Sequence, residues 1–460
     1  MNRSTKTSLV KLMAGAAALT LTLAACGSED DPAPATGQDT ASPTEATGDG
    51  STTPADETFA AAECTDKQSA DNAFRIGGIL PLSGNLAFLA PPEIAGIGVA
   101  VNEINAAGGV AGVDACYDIQ DSGDSTDMST STAAAGALVR TNPSVVIGAA
   151  SSSVSLNVVD TFTDERITQV SAANTASAMS GVSPFYFRTA PDDTVQGKVL
   201  GETIAQDGYS KLAFLVFSDT YGTGLRDTVQ QNFEASGGTC TYGCKGEGDE
   251  WPAGQTIFSS DVTAALASKP DVIAIIAFDE TKSILPELEA QGWDMSKTYF
   301  VDGNLNDYSA DVEKGALEGA VGTLPGADPA QSYKDRANGW YQAIEGEELT
   351  GYSYSAEAYD AVMLSALAAI KGGDTRSQTV QKNLLAVSGA TDGTQCTTFA
   401  ECVALLEQGE EIHYTGPSGI GPLNDAHDPS RGFVGIYAFN AENQPEYQTV
   451  VEADSTSSAN

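Results

Sequence analysis

The chain has 460 residues, with 22 Lys and Arg against 62 Asp and Glu, a formal charge of −40. A surface this acidic repels nucleic acid and anionic lipid, and the two histidines, His413 and His427, exclude a His-rich metal centre. Behind a non-globular start, about 385 residues remain, too many for one core and enough for two lobes.

Taken in order, the chain opens on Arg3, Lys6 and Lys11, then an apolar run from Leu12 to Leu23. That run is too short for a membrane-spanning helix. It ends in Leu23-Ala24-Ala25-Cys26-Gly27-Ser28, small residues of the kind signal peptidases need, set before a cysteine. This resembles the lipobox of a bacterial lipoprotein. The resemblance implies a signal peptide over 1–25, a lipidated Cys26 as first mature residue, and an exported chain anchored on the outer face of the cell membrane. From Gly27 to about Asn72 the composition is Asp, Glu, Pro, Thr, Ser, Gly and Ala. Such a segment buries too little surface to offset its ordering entropy, and residues 26–72 are expected to be a disordered acidic linker. Its reach is roughly 35–40 Å.

Six further cysteines suit an oxidising compartment. Cys240 and Cys244 are close in sequence, as are Cys396 and Cys402, which leaves Cys64 for Cys116; the alternative is a four-thiolate zinc site built from the two close pairs. No cofactor and no metal is expected.

Beyond the linker, strands and helices alternate. Arg75–Leu80 reads as a buried strand stopped by Pro81; Ile94, Ile97, Val101 and Ile104 mark one face of a helix ended by Gly108-Gly109. A strand over Cys116–Gln120, a helix over Ser129–Arg140, a strand over Ser144–Gly148, a helix over Leu156–Asp164 and a strand over Ile167–Val170 follow. A second series starts after Arg188-Thr189-Ala190-Pro191. It runs through helix Thr194–Asp207, strand Leu212–Phe217, helix Leu225–Ala235, the first cysteine loop and a strand near Thr256–Phe258. Helix Val262–Ser268, strand Asp271–Phe278, helix Ile284–Gln291 and strand Thr298–Val301 continue it. Long helices are predicted at Ala330–Ile344 and Ala356–Ile370, and terminal strands at Gly432–Phe439 and Tyr447–Val451. The pattern predicts an α/β fold of two lobes with parallel sheets.

No Gly-x-Ser-x-Gly elbow, phosphate-binding glycine loop or HExxH pair occurs, so the chain is read as a binding protein and not as an enzyme. Gly96-Ile97-Gly98 lies within a helical pattern and not after a strand. Two small-residue polar loops stand out instead, Ser151-Ser152-Ser153 and Ala172-Ala173-Asn174-Thr175, each directly after a strand. Ligands of open α/β sheets sit at the carboxyl ends of strands. Hydroxyls and free N–H groups there can hold a carboxylate, or can serve simply as helix caps.

Six stretches, IGGILPLSG (76–84), VNEINAAGGVAG (101–112), VVIGAASSS (145–153), FRTAPDDTVQG (187–197), DTYGTG (219–224) and YSAEAYDAV (354–362), together resemble the extracytoplasmic solute-binding proteins of ABC importers, of the branched-chain amino acid type. The resemblance implies two Rossmann-like lobes joined by three crossover strands. Lobe 1 would comprise 74–191 and about 326–428, and lobe 2 192–325 and about 430–455. It implies that Ser152, Ala173 and Thr175 grip a ligand carboxylate, that Asp193 meets an ammonium group, and that Tyr221 is an aromatic wall. The first-loop aromatic falls on Phe88 or Leu89. The second-lobe glutamate of amino-acid binders falls on Asn304, which carries no charge, although Asp302 and Asp307 stand near it. The function so implied is a monomeric, lipid-anchored subunit that delivers a small polar solute, an amino acid of the branched-chain type, to an ABC permease in the membrane. A sensing lipoprotein for amides, urea or aromatic acids, signalling without transport, is the alternative.

Overall fold

The computed structural model describes residues 58–455; the signal peptide, Cys26 and the linker as far as residue 57 lie outside the described residues. Lobe 1 begins with β1 (Phe74–Leu80), α1 (Ala90–Ala106), β2 (Ala115–Asp121), α2 (Met128–Arg140), β3 (Val145–Gly148), α3 (Ser152–Asp164), β4 (Gln169–Ser171) and β5 (Tyr186–Arg188). The strands form an all-parallel sheet of order β2-β1-β3-β4-β5. β1 and β3 are buried throughout, and so read as apolar runs without alternation.

The chain then crosses at residues 189–192 into α4 (Asp193–Gln206), β6 (Lys211–Val216), α5 (Thr220–Ala235), β7 (Thr239–Tyr242), α6 (Ser259–Ala267), β8 (Val272–Ile276), α7 (Thr281–Ala290), β9 (Thr298–Phe300) and β10 (Val321–Pro325). After β10 it returns, and α8 (Gln331–Ile344), α9 (Ser355–Gly372) and α10 (Ser377–Val387) pack on lobe 1, α9 burying nearly its whole surface between α1, α10 and the sheet. A two-stranded parallel ribbon of β11 (Thr394–Cys396) and β12 (Ile412–Tyr414), with α11 (Phe399–Glu407) between them, completes that lobe. The last passage leads to β13 (Arg431–Phe439) and β14 (Pro445–Asp454), which join the second sheet in the order β14-β13-β10-β9-β8-β6-β7. β13 runs antiparallel to β10 and to β14, so this sheet is parallel only from β10 to β7.

Two expectations need correction. Residues 58–72, assigned to the disordered linker, are built into lobe 1: Cys64 N–H donates to the Tyr117 carbonyl, Ala70 is buried, and the Arg75 guanidinium donates to the Thr65 and Gln68 carbonyls. Long-range hydrogen bonds supply what the local composition lacks. The strand expected near Thr256–Phe258 does not form, and Ile257 is 74% exposed. The edge strand is β7, inside the first cysteine loop, where β6 offers a free edge. Disulfides join Cys64 to Cys116, Cys240 to Cys244, and Cys396 to Cys402. A zinc site built from the two close pairs therefore has no thiolates to use. Among the described residues no helix is long and apolar enough to cross a membrane.

Candidate functional site

The carboxyl ends of β3 and β4 are built to present polar loops. Gly148 ends β3 at φ +108°, and a Cβ there would lie 2.2 Å from the Ile79 carbonyl oxygen, so only glycine lets the chain turn so close to β1. The turn places Ser151 at the N-cap of α3 and Ser152 in its first turn, where backbone N–H groups have no intrahelical acceptor. The second loop is fixed by Asn174, which donates to the Ala150 carbonyl (2.7 Å) and accepts from the Tyr186 hydroxyl (2.8 Å). The Ala176 N–H donates to Ser152 Oγ (3.3 Å), tying the two loops together.

Lobe 2 supplies the facing wall. Asp219 caps α5 through the Tyr221 N–H, and Tyr221 stacks on Phe278 with ring centroids 5.5 Å apart. The Tyr221 hydroxyl donates to Asp302 Oδ1 (2.6 Å), and the Tyr354 hydroxyl, from the start of α9 on lobe 1, donates to Asp302 Oδ2 (2.7 Å). Between these surfaces lies a cavity lined by Ser151, Ser152, Ala173, Thr175, Tyr221 and Asp302, among others. It measures about 10 Å³, room for about one water. The lobes are drawn together over it: Ser153 Oγ donates to Asp219 Oδ2 (2.5 Å), and Asn85 Nδ2 to Glu280 Oε1 (3.1 Å).

Four of the expected ligand residues, Ser152, Ala173, Thr175 and Tyr221, meet at this cavity. Asp193 stands just behind it at the first turn of α4, fully buried, with no hydrogen-bond partner on either carboxylate oxygen. Its N–H donates to the Thr175 carbonyl (2.7 Å), and Oδ2 lies 3.9 Å from where a Cβ on Gly224 of α5 would stand. The Thr175 hydroxyl is close enough to favour the charged form a little, yet makes no hydrogen bond of regular geometry. Burial, then the neighbouring Asp302 charge, push the Asp193 carboxyl well above the usual range; burial also raises Asp302, against the two tyrosine hydroxyls.

Asn304 and Phe88 are elsewhere. The Asn304 amide donates to the Ile275 carbonyl (2.9 Å) and Thr281 Oγ1 (3.0 Å) and accepts from the Val301 N–H (2.8 Å). Its polar atoms are spent on its own turn, and Asp302, two residues earlier, faces the cavity instead. Phe88 and Asp307 line a larger cavity outside this one, while Leu86 and Leu89 line the inner one. The sequence pattern does not mark two contributors, Tyr354 and Phe278. Tyr354 opens the YSAEAYDAV stretch without an evident role there, and Phe278 reads as the end of a buried strand. Among the described residues no cluster of His, Cys, Asp and Glu is arranged to hold a metal ion.

The periplasmic binding protein family profile matches residues 73–404. A chemotactic signal transduction system substrate-binding protein of Halobacterium salinarum, BasB, is 26% identical over 394 residues, covering 78% of this chain and 85% of that protein. The leucine-binding protein LivK of Thermotoga maritima shares the fold with a TM-score of 0.66 at 18% identity, covering 82% of this chain and 99% of that one. A solute-binding protein of an ABC transporter of Rhodopseudomonas palustris, solved in complex with p-hydroxybenzoic acid, does so with a TM-score of 0.65 at 17% identity, covering 84% and 98%.

Proposed function

The chain belongs to the periplasmic binding protein family, a family of solute binders and not of enzymes, and from that premise we propose that it captures a small zwitterionic solute, an amino acid, between its lobes and presents it to an ABC permease. The observation that carries this reading is the opposition of two chemistries across one cavity. On one side Ser152, Thr175 and the N-terminus of α3 offer hydroxyls and N–H groups to a carboxylate; on the other Asp302 offers a buried carboxylate to an ammonium, with the buried, unpartnered Asp193 behind the cavity next to Thr175. Asp302 supplies the charge that Asn304 lacks. A purely anionic aromatic acid would meet both aspartates without compensation. The cavity between the closed lobes is too small for an amino acid, so the solute enters with the lobes apart and the contacts between them re-form around it. Cys26 would anchor the protein to the outer face of the membrane.

Thermal-shift titration of the purified protein against amino acids, amides, urea and aromatic acids tests this. A ligand at a hundred times its dissociation constant adds about 2.7 kcal/mol of stability. Each charge-assisted hydrogen bond is worth about 1.5–3 kcal/mol. If Ser152→Ala and Thr175→Ala both left the affinity within about twofold, the carboxylate grip would be wrong. The similarity to a chemotactic substrate-binding protein favours a second reading in which the liganded form signals to a membrane receptor. Reconstitution with the permease and its ATPase separates the two: solute uptake that depends on this protein supports import, and its absence favours signalling.

A further inference from the structure

Outside the inner cavity, and separated from it by Tyr354, the two lobes enclose a second, wider cavity of about 390 Å³. Four tyrosines contribute to its wall: Tyr352 and Tyr354 from the segment before α9, and Tyr437 and Tyr447 from β13 and β14. Its acidic members are Glu357, Asp328 and Asp307, and its one basic side chain, Lys334, is already taken, with Nζ 2.6 Å from Asp328 and 5.7 Å from the centre of the Tyr352 ring. Glu357 is 4% exposed, and no other side chain donates to its carboxylate among the described residues. That carboxylate lies beside Gly326, where an added Cβ would stand 2.1 Å from Glu357 Oε1, next to Pro325 and Ala327 of the chamber wall. Aromatic faces around a buried carboxylate that forms no ion pair among the described residues suit a positive charge carried on an apolar body.

We infer that this chamber binds an organic cation, an ammonium or guanidinium group on an apolar stem, with Glu357 as its counter-ion and the tyrosines as its walls. The cation can be the tail of the solute held in the inner cavity, in which case the inference rests on the function proposed above, or a separate small molecule. In either case it touches both lobes and favours their closed arrangement.

The groups around Glu357 are Glu93 of α1, Asp360 on its own helix, Tyr333 of α8, Tyr354, Tyr437 and, through Tyr437, Asp328, with Arg431, paired to Glu452, lining a small adjoining cavity. Burial first, then the Asp360 and Glu93 charges, hold the Glu357 carboxyl well above its ordinary range. A cation would favour its ionised form, so binding would release a proton and tighten as pH rises.

Calorimetric titration of the full chain with choline, L-arginine and L-leucine, in the wild type, Glu357→Gln and Tyr352→Ala, tests the inference. The expected result is that choline, arginine or both bind the wild type more tightly as pH rises. Glu357→Gln should then weaken that binding at least tenfold and flatten its pH dependence, while leucine affinity stays within twofold. Tyr352→Ala, at the rim, should weaken cation binding several-fold and guards against misfolding of the buried variant. Arginine without choline identifies a solute tail; choline without arginine identifies a separate small cation. Leucine binding with neither cation overturns the inference and leaves the proposed function standing. Choline binding with no amino acid keeps the chamber and removes the amino-acid reading. Cation binding indifferent to both substitutions, or no binding at all, overturns the inference.

Discussion

Arg188 and Asp193 lie on the same short passage between the lobes, both wholly buried, and the protein treats their charges in opposite ways. Arg188 is satisfied on every side: its Nε and Nη2 hold both oxygens of Asp428 at 2.6 and 2.9 Å, and its remaining donors reach the Asn174 and Ala176 carbonyls and Ser180 Oγ. Asp193 has no partner on either oxygen. The first arrangement fixes a hinge segment and the loop that carries Thr175. The second leaves a costly charge beside a cavity, where a ligand can compensate it. A buried carboxylate left unsatisfied beside a ligand cavity is a place where stability is given up for binding.

The largest expected effect comes from breaking the satisfied pair. Arg188→Met leaves Asp428 buried and alone and should cost about 3–5 kcal/mol, read from denaturant unfolding. A loss under about 1 kcal/mol would mean the pair is not the structural element described. Asp193→Asn should act the other way round. Affinity for an amino acid falls about ten- to a hundredfold, the worth of a charge-assisted bond, while the unliganded protein unfolds at equal or higher denaturant. The sign follows from the raised carboxyl: in the folded state its ionisation is disfavoured, so at neutral pH the aspartate subtracts stability that an amide does not. An Asp193→Asn protein that is both weaker in binding and less stable would place Asp193 with Arg188 among structural residues.

The same linkage predicts a pH dependence. An ammonium ligand favours the ionised forms of Asp193 and Asp302, both raised in its absence, so binding releases protons. Affinity should therefore rise with pH above the ordinary carboxylate range, by up to about tenfold per pH unit for each proton released; an affinity that falls as pH rises there would contradict it. Smallest of all, Ser153→Ala removes one hydrogen bond between the lobes, worth about 0.5–1.5 kcal/mol. It should shift the lobes toward the open arrangement, seen as a larger radius of gyration in solution scattering, with little change in unfolding.

The two polar loops after β3 and β4 were legible because a strand, a glycine and a run of hydroxyls are contiguous in the chain. The cysteine pairings were legible too, since two of the three disulfides close loops of a few residues. The turn Asp302-Gly303-Asn304 was not. Its composition holds an acid and an amide two residues apart, and only the packing of that turn against β8 and α7 sends Asn304 inward and Asp302 to the cavity. Residues 58–72 misled for a similar reason, since their composition is that of a linker while their hydrogen-bond partners, Tyr117 and Asn142, lie far along the chain.

The sequence by itself determined the alternation of strands and helices, the two-lobed class and the loops that end at the cleft, because periodicity and turn chemistry act over a few residues. The tertiary structure alone decided that Asp302 faces the inner cavity with Asp193 behind it, that Tyr354 divides that cavity from a wider chamber, and that β13 enters the second sheet antiparallel. Those outcomes depend on which distant surfaces meet when apolar faces are buried, and no local pattern carries that information.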